Sequence, residues 1–510
     1  MSFGERLDAA IAPFAPSWAA QRAQARNMIA AQEVIGKQVR QFDAAQKGRR
    51  TAGWPRSASS ADSENLRGRS MLAYAAHDLV RNNKYAAAGV RQMTATIWGD
   101  GITPQFTHED KAVAQKAQDD YDRWAESKVD GLGDWYGHGK LCVREMIVGG
   151  ESLTVWKPDN DGPDGRVAGL EGAHLDMAKN FRLTNGGKIA QGVEYDKGGD
   201  RSAYHLFEDH PHDMMMALNL ASKRVDAQYV DHLFERQRLG QTRGVSWLGA
   251  VAMTLRDISD IEDATRLREK VQACLALVIQ PGEGQAGSPL GDQRAPDDDS
   301  AGSAIEEGLR PGLIMRTRPG ETVQVVNPQP SSVTVEFIRQ QLAGVSANMV
   351  PYHLMTGDVS QANYSGLRAA MNGSYTNVDD WQQNEVIPLL CRPAAIRRMK
   401  SLALRTGDRR FLQVKMSWAL PVRRFVDPIK DLMGEIMEIR AGLKTITKGL
   451  GERGLNSDDH MRDIARMNGL IDELGLALDT DPRKLTDSGV LQKAAGYIAP
   501  KGAQTNGDDE

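Results

Sequence analysis

The densest collection of metal-ligating side chains in the sequence is His205 followed by His210-Pro211-His212-Asp213. Three imidazoles and a carboxylate offer the nitrogen and oxygen donors that suit Zn²⁺. His205 falls in a predicted strand, however, and the others in a proline-containing loop. A solvated loop is therefore expected, and no metal site is assigned. The three cysteines, Cys142, Cys274 and Cys391, lie more than 100 residues apart. That spacing excludes a Cys-x-x-Cys ligand pair, and their number excludes a disulfide framework. Buried free thiols in a reducing compartment are the expectation.

Phosphate-binding and nucleophile motifs are missing at their decisive positions. Gly139-Lys140 and Gly187-Lys188 lack the upstream glycine and the following Ser/Thr that cradle phosphates. No H-E-x-x-H occurs. Gly244-Val245-Ser246-Trp247-Leu248 and Gly344-Val345-Ser346-Ala347-Asn348 each lack the final glycine of a nucleophile elbow. Carboxylates are plentiful, but no pair stands out from ordinary charged helix faces. These absences point away from an enzyme, with no catalytic residue and no cofactor expected. A hydrolase or transferase with an unrecognised site near His205–Asp213 remains the competing enzymatic reading.

The 510 residues carry 63 Lys+Arg against 67 Asp+Glu, a formal charge of −4. A protein that grips DNA tightly through phosphates usually has a basic excess. With 41% hydrophobic and 25% charged residues, the chain is an ordinary globular protein long enough for several domains. No apolar run approaches the roughly 18 residues of a membrane helix. Glu5 and Asp8 stand where a secretory signal would be apolar. A cytoplasmic, non-membrane protein is expected.

The elements that position these residues read as α+β. Residues 1–70 hold 11 basic and 6 acidic residues, helical to about Ala45 and then a mobile arm or linker over Gln46–Ser70. From Met71, apolar residues recur at helical spacing to Ile97, before Gly99-Asp100-Gly101 stops the helix. Helices are expected over about 110–127 and 135–149. A strand follows over 151–157, then an alternating strand over Ile189–Tyr195, a turn at Lys197–Asp200 and a return strand through Phe207. Another strand covers Tyr229–Arg236. Two long helices, Trp247–Gln272 and Val333–Met349, bracket an insert. The insert begins with a strand over Cys274–Ile279 and continues with a loop whose residues 281–310 hold seven acids and two bases. It ends in a hairpin, Leu313–Arg318 and Thr322–Val326. Beyond Pro351 lies a polar, turn-rich loop leading into a helix over Gly366–Val386. C-terminal helices follow over Pro428–Gly442, Ser457–Asn468 and near Lys484–Gly496, with a disordered tail.

Three stretches together resemble the lambda-type portal proteins of tailed bacteriophages. They are Asp78–Ala86 (DLVRNNKYA), Leu233–Ser246 (LFERQRLGQTRGVS), and Val350–Tyr352 through Asn363-Tyr364-Ser365, with Arg368 beyond. Their order and spacing, with the strand-tipped insert between two helices, carry the likeness over roughly residues 70–440. Gly366 and Leu367 depart from the usual pattern, where many relatives have a small polar pair.

The resemblance implies an α+β portal-type subunit with a wing, a two-helix stem, a small β clip and a helical crown. On this chain the N-terminal basic arm and linker would be residues 1–70, and the first part of the wing 71–245. The stem helices would be 246–275 and 331–352, and the clip 276–330. Residues 353–426 would be the tunnel loop with a wing helix and strand, 427–496 the crown, and 497–510 the tail. Such proteins form a homo-oligomeric ring, typically of about twelve copies, at one capsid vertex of the virion. Double-stranded DNA passes through the channel without sequence specificity during packaging and ejection. The implied partners are the terminase large subunit, the major capsid or scaffold proteins, and head-completion or adaptor proteins. The tunnel loop facing DNA would be Thr356, Gly357, Asp358, Val359, Ser360, Gln361, Ala362, Asn363 and Tyr364. The docking residues in the clip would be Glu283, Asp292, Asp297, Asp298, Asp299, Glu306, Glu307 and Arg310. The charge agrees with this, since a wall that neutralised many phosphates would stall sliding DNA. The alternative is another phage head or baseplate component without a DNA channel.

Overall fold

The computed structural model describes residues 7, 9, 11–38, 48–54, 58–157, 165–213, 221–274, 278–279, 315–316, 332–360, 363–423, 428–453, 455 and 457–476. The chain divides into two compact units, Met1–Ser59 and Ser60–Glu510. In the first, helix α1 (Pro16–Gln38) is followed by a short 3₁₀ turn, Arg49–Thr51.

The second unit begins earlier than the expected linker end. Ser60 caps helix α2 (Ala61–Asn65) by accepting from the Ser63 amide, and both Ala61 and Arg69 are buried. The reason is a specific partner for each polar group: Asp62 accepts from the Thr242 amide and hydroxyl at 2.8 and 2.6 Å.

The helical pattern from Met71 to Ile97 resolves into two helices, α3 (Arg69–Asn82) and α4 (Lys84–Ile97). Asn83 interrupts them. Its backbone is extended, and its side-chain oxygen accepts from the Tyr85 and Ala86 amides as the α4 N-cap. Val90, Met93 and Ile97 bury the inner face of α4, and the chain turns away through left-handed Gly99.

Strand β1 (Thr103–Thr107) precedes α5 (Lys111–Ala125) and α6 (Trp135–Val148). Strand β2 (Glu151–Lys157) forms the centre of a three-stranded antiparallel sheet between β3 (Arg166–Glu171) and β9 (Val230–Phe234). A second antiparallel sheet runs in order through β4 (Phe181–Arg182), β5 (Lys188–Ala190), β6 (Val193–Tyr195), β7 (Arg201–Leu206) and β8 (Lys223–Asp226). The single strand expected over Ile189–Tyr195 is thus two. Gln191 (φ 50°) and Gly192 (φ 82°) reverse the chain between them. The turn at Lys197–Asp200 joins β6 to β7 as expected.

A 3₁₀ turn, Trp247–Ala250, opens helix α7 (Ala252–Cys274), and helix α8 (Ser332–Ala347) returns toward it. Leu255 and Ile258 of α7, and Leu342 and Val345 of α8, are buried in the main core. At their root, the Asn348 side-chain amide donates to the Trp247 carbonyl at 3.0 Å. At the far end, β10 (Val278–Ile279) pairs in parallel with β11 (Met315–Arg316). The two expected strands thus meet each other directly. The second hairpin strand, Thr322–Val326, lies outside the described residues, as do Glu283, Asp292, Asp297, Asp298, Asp299, Glu306, Glu307 and Arg310.

Helix α9 (Tyr352–Thr356) and helix α10 (Tyr364–Trp381) flank the polar loop. From Trp381 the helix continues as a π-helical stretch, Gln382–Cys391, into α11 (Arg392–Thr406). Pro388 lies inside that stretch, where a residue without an N–H suits a loosened ladder. Strand β12 (Lys415–Ala419) returns to pair with β1 across more than 300 residues. Helices α12 (Pro428–Arg440), α13 (Ile446–Gly451) and α14 (Ser457–Glu473) follow. The helix expected near Lys484–Gly496 lies outside the described residues.

Four tryptophans mark the centre of the main core. Trp124 stacks on Trp156 at 5.7 Å and meets Trp135 at 5.1 Å, while Trp98 is fully buried. A smaller core of Leu153, Leu175, Val193, Tyr204, Leu206 and Val230 joins the two sheets. Cys142 and Cys391 are buried, and burial pushes the Cys142 thiol up to about 11. Among the described residues, no helix is long and apolar enough to cross a membrane.

Candidate functional site

Each of the three motif stretches holds a different part of the long-helix pair or its root. The first acts on α7. Asn83 caps α4 with its oxygen and uses its amide nitrogen to donate to the Leu255 carbonyl (3.1 Å) and the Ser259 hydroxyl (2.8 Å). One turn further along α7, Glu262 accepts from the Tyr85 hydroxyl at 2.7 Å and pairs with Lys84 at 2.8 Å. The asparagine, lysine and tyrosine of this stretch therefore grip consecutive turns of the same helix.

The second stretch closes a buried ionic cluster just before α7. Glu151, the first residue of β2, is fully buried. Its carboxylate accepts from the Arg69 guanidinium at 2.7 Å, from Arg243 Nε at 2.8 and 2.9 Å, from Arg243 Nη2, and from the Gly244 amide at 3.0 Å. His232 Nε2 donates to it at 3.0 Å, while His232 Nδ1 accepts from Arg201 at 2.8 Å. That pattern fixes the neutral Nε2–H tautomer, because a protonated ring has no acceptor for Arg201. Burial holds the His232 pKa down to about 4. Burial alone would raise the Glu151 carboxyl, but the two guanidiniums and His232 outweigh it and hold the group well below its usual range. Arg243 spends its remaining donors on the Gln191 and Gly172 carbonyls at 2.9 and 2.6 Å. The close approach needs glycine on both chains: a Cβ on Gly244 would lie 2.0 Å from the Gly150 carbonyl oxygen, and one on Gly150 would lie 2.4 Å from the Val245 carbonyl carbon.

The third stretch hangs a loop from α8. Thr356 ends α9, donating its hydroxyl to the Tyr352 carbonyl at 2.8 Å and accepting from the Asp358 amide at 3.1 Å. Gly357 takes the left-handed conformation (φ 73°) that ends the helix. Asp358 then pairs with Arg339 of α8 at 2.9 Å and accepts from the Ser360 amide at 2.9 Å. Hydrogen bonds from Ser360, followed by the charge of Arg339, hold the Asp358 carboxyl below its ordinary value. Arg339 also donates to the Ser360 hydroxyl at 3.3 Å. Val359 projects into solvent, 59% exposed. Gln361 and Ala362 lie outside the described residues. Asn363 starts α10 by accepting from the Gly366 amide at 2.6 Å, and Tyr364 is half exposed beneath Lys430. Arg368 reaches Asp431 of α12 at 2.5 Å. The loop is thus held at both ends, with Val359 exposed among its described residues.

The histidine-rich segment is divided among separate partners. His205 lies in β7, nearly buried, between Glu194 (3.2 Å) and Lys179 (3.1 Å). His210 faces Glu171 at 3.6 Å, and His212 packs edge-on against Tyr74. The enzymatic reading of His205–Asp213 gains no shared constellation from the fold. Sequence reasoning missed Glu151 as the shared partner of Arg243, Arg69 and His232, and Arg339 as the partner of Asp358. Nothing local announces them, because every one of these pairs spans distant segments or opposite ends of a loop.

An α+β body that roots two long helices, with a polar loop tethered to the second, is the class of architecture these contacts define. The family model described as phage portal protein, lambda family, matches residues 47–382, and the chain belongs to that family. It is a portal protein. It is 22% identical over 465 residues to the portal protein of Escherichia phage N15, covering 81% of this chain and 86% of that one. It is 26% identical over 203 residues to the probable portal protein of Halomonas phage phiHAP-1, a match spanning 39% of each chain. Among solved structures, a chain from the virion of a native gene transfer agent particle is 13% identical, with 79% of this chain and 96% of that chain covered at a TM-score of 0.39. A chain from the neck of the native particle, computed with C12 symmetry, is 14% identical, with 74% and 90% covered at a TM-score of 0.37.

Proposed function

We propose that copies of this chain close into a ring at one capsid vertex of a virion and that double-stranded DNA passes through the opening. In this reading α7 and α8 form the stem, and residues 276–330 the clip that meets the terminase and later the head-completion proteins. The helices after residue 427 form the crown, and Thr356–Tyr364 form the loop that faces DNA. The observation that carries it is the tether of that loop: Arg339 and Asp358 fix a short, glycine-turned segment to the middle of a long helix. Within this tether the Arg339 charge is neutralised by Asp358. A loop of this kind touches a sliding duplex without adding a phosphate clamp, since each phosphate a wall neutralises strengthens a salt-dependent grip. A closed ring uses head-to-tail contacts, in which two different faces of each subunit meet. The chain's net charge of −4, multiplied around a ring, opposes adhesion of DNA to the wall.

The test is a photo-crosslinking residue at Val359 in particles arrested during packaging. DNA adducts at that position support the loop assignment. Adducts at control positions on the outer body, with none at Val359, contradict it.

A further inference from the structure

Among the described residues, one group of three or more His, Cys, Asp or Glu side chains converges closely enough to hold a metal ion. It is His77, Glu145 and Glu171, whose ligating atoms all lie within 4.8 Å of one another. It is not the histidine run in the sequence, although it borrows one member. His210 Nε2 lies 3.6 Å from Glu171 Oε2. Three pieces of chain meet in the close group, α3 through His77, α6 through Glu145 and the end of β3 through Glu171, and His210, on the segment after β7, stands beside Glu171 at its outer side.

The surroundings suit an ion. His77 and His210 are each one-third exposed, Glu145 is mostly buried, and Glu171 is half exposed. An ion can reach the site from solvent, and the two outer side chains keep the rotamer freedom to close the last ångström. Neighbours orient the outer imidazole: His174 packs edge-on against His210 at 5.4 Å, and the His174 ring is itself hydrogen-bonded at Nδ1 to the Phe207 carbonyl. On the helix side, Glu145 Oε1 holds His77 Nε2 at 3.2 Å. Two carboxylates balance the charge of a divalent cation, and two imidazoles favour a borderline metal over calcium or magnesium, which take oxygen ligands.

We propose that His77, Glu145, Glu171 and His210 form a binding site for one divalent transition-metal ion, zinc being the best match to this donor set. Bound there, the ion cross-links helices α3 and α6 to the edge of the β region. It acts as a structural staple, stabilising the folded chain by mass action. The side chains would adjust their rotamers until each ligating atom lies about 2.0–2.2 Å from the ion.

The experiment uses the full chain after treatment with a chelator. Zinc is titrated in by calorimetry, melting is followed with and without zinc, and Co²⁺ is used as a spectroscopic probe. Saturable binding of one ion per chain, a higher melting temperature with zinc, and intense cobalt bands of low coordination number are expected. His210→Ala and Glu171→Gln, at solvent-accessible positions, should each weaken binding about tenfold or more. His460→Ala, a histidine outside the cluster, should not. Loss of binding in His77→Ala counts only if its melting temperature without zinc matches the parent, which is why the two outer variants carry the test. Absence of saturable binding, or binding unchanged in both outer variants, overturns the proposal.

Discussion

Arg339, in the middle of the second long helix, and Asp358, two residues past the end of the next short helix, form an ion pair of 2.9 Å. The same carboxylate holds the Ser360 amide at 2.9 Å, so one side chain both sets the turn and ties it to the stem. Arg339→Ala should therefore free the loop without disturbing the body. Exposed pairs contribute little to global stability, and the melting temperature should stay within about 2 °C of the parent. Limited proteolysis within 357–363 should become faster. An unchanged cleavage rate would show that the loop is ordered by something else.

Removing Glu151 leaves the Arg69 and Arg243 guanidiniums facing each other in a dry site. Breaking a buried charge network from one side costs about 3–5 kcal/mol. Glu151→Gln should lower the unfolding free energy by that order or abolish soluble expression, as read by denaturant titration. Arg243→Lys should also destabilise, because a single ammonium cannot bond the carboxylate in two places and reach both the Gln191 and Gly172 carbonyls. A loss below about 1 kcal/mol in both variants would contradict the role given to the cluster.

The same cluster makes the fold acid-sensitive. His232 has its pKa held near 4 in the folded chain against 6.5 when unfolded. The unfolded state binds the extra proton first, so this contribution is complete above pH 6.5 and is lost as pH falls toward 4. Glu151, depressed below its usual 4.5, adds a second loss only at lower pH. Stability should fall by on the order of 3 kcal/mol between pH 6.5 and pH 4 from His232 alone. His232→Gln, which keeps a donor for Glu151 but cannot titrate, should flatten that part of the profile. A profile of the same slope in the variant would assign the acid sensitivity elsewhere.

Asn83 performs two tasks with one amide. Asn83→Asp keeps the cap of α4 but replaces the donor to Leu255 and Ser259 with an acceptor beside a carbonyl. Asn83→Ala loses both. Each should cost about 1–3 kcal/mol, with the aspartate no better than the alanine. If the aspartate variant is as stable as the parent, the contact with α7 has no energetic weight.

The elements visible in the sequence are those whose signal is local. Strand β2 falls on Glu151–Lys157 as expected, and helices α5 and α6 lie within two residues of their expected ends. Periodicity missed the break at Asn83, because apolar spacing continues across it and only the side-chain cap interrupts the backbone. It likewise missed the reversal at Gln191-Gly192, since alternation on either side reads as one strand when a non-glycine residue takes a positive φ. The composition of Gln46–Ser70 reads as a mobile arm or linker, yet Asp62 and Arg69 are consumed by partners more than 80 residues away. The three motif stretches were legible as residues. Their purpose was not, because each works by gripping a helix, a strand start or a loop far along the chain.

The central claim is that the chain assembles around an opening. Electron microscopy of the purified full-length protein, with mass photometry of the same sample, tests it most directly. The account predicts closed rings of about twelve copies with a central hole. A protein that remains a single chain under every assembly condition, with no ring in any field, would contradict it.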